Sequence, residues 1–385
     1  MDVVVIGAGV IGVSVAVELA RRGAKVTIVE SEWPGAGTSS TSYAWVNSNS
    51  KEPVSYYALN RGGLDAHHRL ATDVGGGDWF APHGHLEFAT DDAHCRELSA
   101  RVGRLREREY EVDELTVDRA RALVPDLVIP NDCYSIAFFP REAHCYPNLY
   151  LAYMLKRAFM LGVMRMDGVA VKHLSEVGGR ACVGLSDGSE LAADHVVSAV
   201  GRWTSDVARL AGVSFHMAEF HEPGDVTVGY LAVTNPVPVS ITRIVTSPWL
   251  NVRPEGGGRL LLQALDLDRT ADPRVTTDSM VAKELVSRLQ KVLKNTEGAK
   301  IEKLVVGQRA MPADGFSAIG SVPSVPWLYI VATHSGVTLA PLLGTGVAGE
   351  IFGDAEPLFA DFRPDRLIGD AEFTVPSGPR KPGEQ

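Results

Sequence analysis

Gly7, Gly9 and Gly12 carry the first recognisable chemistry in this chain. They stand in the run Gly7-Ala8-Gly9-Val10-Ile11-Gly12, directly behind the β-branched stretch Val3–Ile6. A glycine at the first position permits a tight turn. One at the second lets the backbone approach a pyrophosphate, and one at the third lets a helix pack close to the strand before it. Val10 and Ile11 complete the phosphate-facing turn. Glu30 supplies the other half of the pattern, tipping the run Lys25–Val29 ahead of Ser31. A carboxylate in that place accepts hydrogen bonds from both hydroxyls of a ribose and repels a 2′-phosphate. The chemistry is the binding of an unphosphorylated dinucleotide, and these residues alone admit either FAD or NAD.

Such residues act only if three elements hold them. Val3–Ile6 reads as a buried parallel strand. Val13–Arg22 has helical composition and is closed by Gly23, and Lys25–Val29 reads as a second strand ending on Glu30. The helix N-terminus then offers unpaired N–H groups and the positive end of its dipole to the phosphates. A bare glycine pattern is a weak signal. Here strand, glycines, helix, strand and acid occur in register, which makes the dinucleotide reading specific.

Further blocks extend the pattern. Gly35-Ala36-Gly37-Thr38-Ser39-Ser40 leads to Ser42-Tyr43-Ala44-Trp45, a small, hydroxyl-rich loop. A helical stretch Leu149–Gly162 precedes Val169-Ala170-Val171, then the strand-like Asp194–Val200 and Gly201-Arg202-Trp203. Gly307-Gln308-Arg309 and its Asp314-Gly315 turn are followed by the apolar strand Leu328–Ala332, by Thr333–Pro341, and by a helix to about Phe352. Together these blocks resemble the FAD-dependent D-amino-acid oxidase superfamily, which includes glycine oxidase, sarcosine oxidase and D-amino-acid dehydrogenase. The resemblance spans nearly the whole chain.

The resemblance implies FAD as cofactor. It sets Thr38, Ser39 and Ser40 along the flavin and pyrophosphate, and the Val169 backbone at the adenine. Gly201 falls near the phosphates and Trp203 on the dimethylbenzene side, and Ala199 is a further cofactor-binding position. His334, Ser335, Gly336, Val337 and Thr338 bring N–H groups and a helix N-terminus to the flavin pyrimidine edge, where the positive dipole end raises electron affinity. Arg309 stands where glycine oxidase has an arginine that pairs with the substrate carboxylate, a bidentate role suited to guanidinium. Arg253 is a second, weaker candidate for substrate binding. His334 is a candidate for hydrogen-bonding the flavin or taking a proton from an amine. The implied reaction is oxidation of the C–N bond of a small amine or amino acid to an imine, with hydride transfer to flavin N5.

Three departures matter. Sarcosine oxidases attach flavin to a cysteine, and Gly307 stands at the matching place, so binding is expected to be non-covalent. The loop His334–Pro341 lacks the second arginine of glycine oxidase, which weakens a simple glycine specificity. No lysine lies between Gly212 and Ala282, where sarcosine oxidases keep an oxygen-activating one. The electron acceptor is therefore oxygen or another carrier. Rival readings are a dehydrogenase serving a non-oxygen acceptor, an NAD-linked dehydrogenase, and a cofactor-binding protein without turnover.

The expected architecture is α/β: a Rossmann-like FAD-binding domain from residues 1–50, 145–212 and 304–374, with a second α+β substrate domain on an antiparallel sheet from 51–144 and 213–303. Residues 375–385, rich in Pro and Gly, read as a flexible tail. The chain has 385 residues, enough for two domains, and a formal charge of −10. That balance argues against nucleic acid as a partner. The four cysteines, His94-Cys95 and His144-Cys145 included, lack metal-ligand spacing, so no metal site is expected. The chain opens on a strand and holds no apolar run long enough for a membrane span, which reads as a cytoplasmic protein.

Overall fold

The computed structural model describes residues 1–130, 135–275, 278–369 and 373. Cys133 and the tail 375–385 lie outside the described residues. The opening segment folds as its pattern predicts: strand β1 (Asp2–Ile6), helix α1 (Val10–Arg21) and strand β2 (Lys25–Val29). Val3, Val4 and Val5 are all buried, which is why β1 reads as a continuous apolar run rather than an alternating one.

Among the described residues, β1 lies inside a six-stranded sheet ordered Ala318–Val322, Val325–Ala332, His195–Ser198, β1, β2 and Met164–Met166. Every pair is parallel except Ala318–Val322 with Val325–Ala332. Ile6 stands level with Ser198 on one side and Val29 on the other, and Ser198 is level with Ile330. The parallel register gathers four chain turns at one edge of the sheet: those after Ile6, Val29, Ser198 and Ala332. Ligands of open α/β sheets bind at this carboxyl edge. Helix α1 and the long helices Val54–Asp73 and Pro147–Met160 join the last helix, Gly336–Ile351, in covering the same sheet and core.

A second sheet of eight strands is ordered Ile301–Gln308, Val228–Thr234, Arg259–Gln263, Asn251–Gly256, Ile244–Thr246, His85–Ala89, Ser135–Phe139 and Asp113–Glu114. It is antiparallel except where Ile244–Thr246 runs parallel to His85–Ala89, the seam between strands from the two inserted segments. Its edge strand Ile301–Gln308 runs past residue 304, because Val228–Thr234 pairs with it as far as Gln308. Helix Ser279–Val292 buries Val281, Leu285, Leu289 and Val292 beneath this sheet, one face at helical spacing. The Asp278 side chain caps it by accepting from Met280 N and Val281 N.

The stretch Val169-Ala170-Val171 does not extend the parallel sheet. Val171 opens a three-stranded antiparallel meander of Val171–Val177, Arg180–Leu185 and Glu190–Ala193. Val169 N donates instead to Glu30 O at 3.0 Å, which ties the meander to the acid-tipped end of β2.

Candidate active site

The carboxyl edge of the parallel sheet opens into a cleft of about 310 Å³. Glu30, Ser31 and Val169 line one end together, with Val169 N bonded to Glu30 O. Gly7, Gly9, Val10 and Ile11 form its floor, and Thr38 and Ser39 one wall. Ala199, Gly201 and Trp203 continue the lining, and His334, Gly336 and Val337 close the far end. These contributions come from four strand ends, so the parallel register assembles the cleft.

The glycines have separate physical reasons. Gly7 has φ +100°, and a Cβ on it would come within 2.6 Å of Ala199 O. Gly12 does not line the cleft; a Cβ there would collide with the carbonyl oxygen of Gly7, so its role is the close approach of helix to strand. Neither α1 nor the helix Gly336–Ile351 has a side-chain cap on its N-cap residue, Gly9 or Ser335. Val10 N of α1 donates to Ser39 Oγ at 3.2 Å, and both helix N-termini meet the cleft, at Val10 and Ile11 and at Gly336 and Val337.

Glu30 is partly engaged already. Its Oε2 accepts from Ala8 N at 2.8 Å, and its Oε1 from Glu32 N at 2.9 Å and Ser31 Oγ at 3.3 Å. The carboxylate is thereby fixed at one end of the cleft. Replacing Glu30 by Ala is expected to weaken flavin-dinucleotide binding by about 1.5–3 kcal/mol, the value of hydrogen bonds to a charged acceptor. Dilution of the purified variant with fluorescence detection of released flavin measures the loss.

Beside the cleft lies a smaller cavity of about 90 Å³, and the two share Thr38, Ser42, His334 and Val337. Ser335 and Thr338 line the smaller cavity rather than the cleft. His334 stands at the junction, with Nε2 3.0 Å from the hydroxyl of Tyr56, which also lies 2.8 Å from Ser335 Oγ. Burial raises the pKa of Tyr56, outweighing its hydrogen bonds, so the phenol stays neutral. Thr338 Oγ1 donates to Trp45 O at 3.1 Å, which pins the helix to the cavity wall. His67 supports the same turn with its Nε2 2.7 Å from Val337 O. Burial lowers its pKa to about 4, so at neutral pH the ring is uncharged and donates through Nε2.

Trp45 rests on a buried charge network. Glu142 accepts from Trp45 Nε1 at 2.7 Å, Asn49 Nδ2 at 2.8 Å and the Tyr110 hydroxyl at 2.8 Å. Arg101 reaches Asn49 Oδ1 at 3.2 Å with one nitrogen and Glu87 Oε1 at 2.6 Å with the other. His94 Nε2 lies 3.2 Å from Glu87, so His94 belongs to this network. His144 Nε2 lies 3.2 Å from the hydroxyl of Tyr146.

Arg309 does line the small cavity, but its guanidinium is largely committed. Nη1 donates to Val226 O at 2.5 Å and Val228 O at 2.6 Å, and Nη2 lies 3.8 Å from Asp268. Arg253 is not brought to either cavity. It is fully buried, donates to Tyr43 O and Pro254 O at 2.7 Å each, and pairs with Glu255, so its contacts are those of a structural cation. Ser40 is exposed, donates its hydroxyl to Gly37 O at 3.0 Å and does not line the cleft. The motifs did not point to Lys51, Asn47 and Gln263, which also line the small cavity and are all buried. None of the three belongs to a pattern that spacing could reveal.

A cleft at the carboxyl edge of a parallel α/β sheet, joined to a second and smaller cavity, is where such sheets bind nucleotide ligands. The profile of the DAO family, described as FAD dependent oxidoreductase, matches residues 2–349, and the chain belongs to that family. Glycine oxidase of Geobacillus kaustophilus strain HTA426 is 25% identical over 360 residues, covering 90% of this chain and 92% of the relative. The 4-methylaminobutanoate oxidase (formaldehyde-forming) of Paenarthrobacter nicotinovorans is also 25% identical, across 90% of this chain and 43% of its own length. The crystal structure of the Geobacillus kaustophilus glycine oxidase superposes with a TM-score of 0.83 at 23% identity, covering 96% of this chain and 99% of that one. The protein is an FAD-dependent oxidoreductase. The helix N-termini at the cleft, the glycines Gly7 and Gly9 and the carboxylate of Glu30 fit that cofactor. Among the described residues, no helix is long and apolar enough to cross a membrane.

Proposed function

We propose that the enzyme oxidises the C–N bond of a small amine or amino acid to an imine, which water then hydrolyses to a carbonyl compound. The observation that carries this reading is the 90 Å³ cavity beside the cleft, joined to it at His334. The family relatives support it, since their names describe oxidation of glycine and of 4-methylaminobutanoate, each an amine that carries a carboxylate. When bound, FAD supplies the two-electron acceptor.

The protein's own part is orientation. Gly7, Gly9 and the α1 N-terminus would hold the pyrophosphate, Glu30 the ribose, and the first turn of Gly336–Ile351 the flavin end. His334, steadied by Tyr56, is set to accept the amine proton at the junction of the two cavities.

Flavin is held without a covalent bond. A side chain on Gly307 would meet Thr41 O at 2.7 Å, so the position that carries a flavin-linked cysteine in sarcosine oxidases has no room for one. Of Cys95, Cys145 and Cys182, none lines either cavity. Acid precipitation of the purified protein is expected to release all flavin into the supernatant. Flavin that stays with the pellet would contradict non-covalent binding.

Anaerobic titration with a panel of amines and amino acids, following loss of the oxidised flavin spectrum, tests the reaction. Bleaching by at least one member is the expected result. If none bleaches the flavin, the proposed reaction is wrong. Repeating the active member in air identifies the acceptor: peroxide release marks oxygen, and turnover only with artificial dyes marks another carrier.

A further inference from the structure

We propose that the turn between helix Pro147–Met160 and strand Met164–Met166 docks the enzyme on the surface of an anionic phospholipid bilayer. Phe159 and Met160 end the helix 81% and 74% exposed, and Leu161 and Met164 follow them into solvent. Among the described residues, no other stretch as short exposes as many large apolar side chains. Single apolar residues on a surface are ordinary, whereas a contiguous group marks a contact. The helix has already buried its core face through Tyr150, Leu151, Met154 and Ala158, so Phe159 and Met160 are not core residues out of place. The turn itself is tight: Gly162 N donates to Phe159 O at 3.1 Å and Val163 N to Ala158 O at 3.0 Å.

Charge selects the occupant. The chain as a whole has a formal charge of −10, yet residues 153–166 hold Lys156, Arg157 and Arg165 and no acid. Lys25 joins them on β2, two positions before Thr27, which stands level with Met164. The acids on neighbouring elements are already answered. Glu18, on the helix packed against this one, pairs with Arg21 at 2.6 Å, and Asp167 pairs with Arg165 at 2.8 Å. Farther along the sheet edge, Asp2 and Asp194 share Arg180. Lys25, Lys156 and Arg157 stand in no ion pair among the described residues. Cations beside exposed apolar side chains suit an anionic lipid surface: the headgroups attract the charges, and the apolar groups enter the boundary of the acyl region.

A second copy of the chain fits this surface less well. Two-fold pairing through the turn would crowd the two sets of cations together, and the edge strand Met164–Met166 offers only three residues for pairing. The strand runs parallel to β2, so the turn lies at the amino edge of the sheet, whereas the cleft opens at the carboxyl edge. Docking by the turn therefore leaves the cleft open to water, and the enzyme would meet a water-soluble substrate while held at the membrane. The assignment is independent of the proposed reaction, since it uses no residue of either cavity.

The test is sedimentation of the FAD-loaded enzyme with vesicles, either phosphatidylglycerol and phosphatidylcholine in equal parts or phosphatidylcholine alone. The mixed vesicles are expected to carry the enzyme down at low salt and to release most of it at about 0.5 M salt, where surface charges are screened. Phosphatidylcholine alone should leave it in solution. Lys156→Gln should weaken binding to the mixed vesicles about fivefold, the effect of one surface cation. Phe159→Ser combined with Met160→Ser should weaken it at least about tenfold. Flavin content should be unchanged in both. Met280→Ser removes an apolar side chain 79% exposed on the helix beneath the other sheet, and it should bind as the wild type does. The assignment is overturned by no binding to the mixed vesicles, by equal binding to both kinds, or by wild-type binding in the double variant. Loss of flavin from that variant would overturn it too, by making the turn part of the fold. So would an oligomer in gel filtration that the double variant dissociates, which would give the turn to a second copy of the chain.

Discussion

Gly12→Val is expected to give a protein that purifies almost free of flavin. The valine Cβ would collide with the carbonyl oxygen of Gly7, a backbone atom in a turn with no slack. Gly7 already holds φ +100° and lies hard against Ala199 O, so the turn cannot move to make room. The helix must shift instead, and its N-terminus is the element proposed to meet the pyrophosphate. Overpacking of this kind costs about 1–3 kcal/mol even where neighbours can relax, and here the neighbour is backbone. Flavin affinity should therefore fall about tenfold or more. The ratio of flavin to protein absorbance after purification reads the effect. Gly103→Ala is the matched control, since a Cβ there meets nothing within 4 Å. Full flavin loading in Gly12→Val would refute the close-approach argument.

Arg101→Met is expected to be strongly destabilising, because Arg101 holds the buried network behind Trp45. Glu87 is fully buried, and burial alone would raise its pKa; the charge of Arg101 and the hydrogen bond from His94 outweigh this and bring it down to about 2. Removing the guanidinium leaves a carboxylate without its cation in the interior, which costs about 3–5 kcal/mol. Asn49 loses a donor as well, and through Glu142 the loss reaches Trp45. Calorimetric melting of the wild type and variant measures the change. Arg104→Met, an exposed residue of the same helix, should stay within about 0.5 kcal/mol of wild type.

The pH dependence has a definite sign. Because the folded-state pKa of Glu87 lies near 2 against an ordinary 4.5, its contribution to stability is present above pH 4.5 and is lost as pH falls toward 2. In Arg101→Met the carboxyl takes up a proton more readily, so the gap between the two melting curves should narrow as pH drops below 4.5. A gap that is constant with pH would mean that the charge of Glu87 is not what Arg101 stabilises.

The contrast between these two residues shows how far the sequence reaches. Gly12 was legible because everything it needs lies close by in the chain: the strand before it, the helix it begins, and Glu30 at the end of the next strand. Periodicity and glycine spacing are local properties, and local backbone geometry dictates them. Arg101 was only one charge on a strongly charged helix. Its partners Glu87 and Asn49 lie 14 and 52 residues away, and no spacing rule connects them.

The same reason explains where motif reading and structure part. Arg309 was found as a residue at the cavity, but its engagement with Val226 and Val228, 83 and 81 residues away, depends on strand pairing. Arg253 was read as a possible ligand contact, and the fold buries it under Tyr43. Lys51 drew no notice, since a lysine before a helix is ordinary until a wall closes around it.

By itself, the sequence determined the α/β class, the dinucleotide edge from Gly7 to Glu30, and the blocks that mark an FAD-dependent oxidoreductase. Only the tertiary structure decided which side chains share the 90 Å³ cavity. Its lining comes from segments near residues 40, 50, 230, 263, 308 and 335. Neighbourhood there is fixed by sheet register and helix packing over long separations, and those are set by the burial of the whole core rather than by any local run of residues.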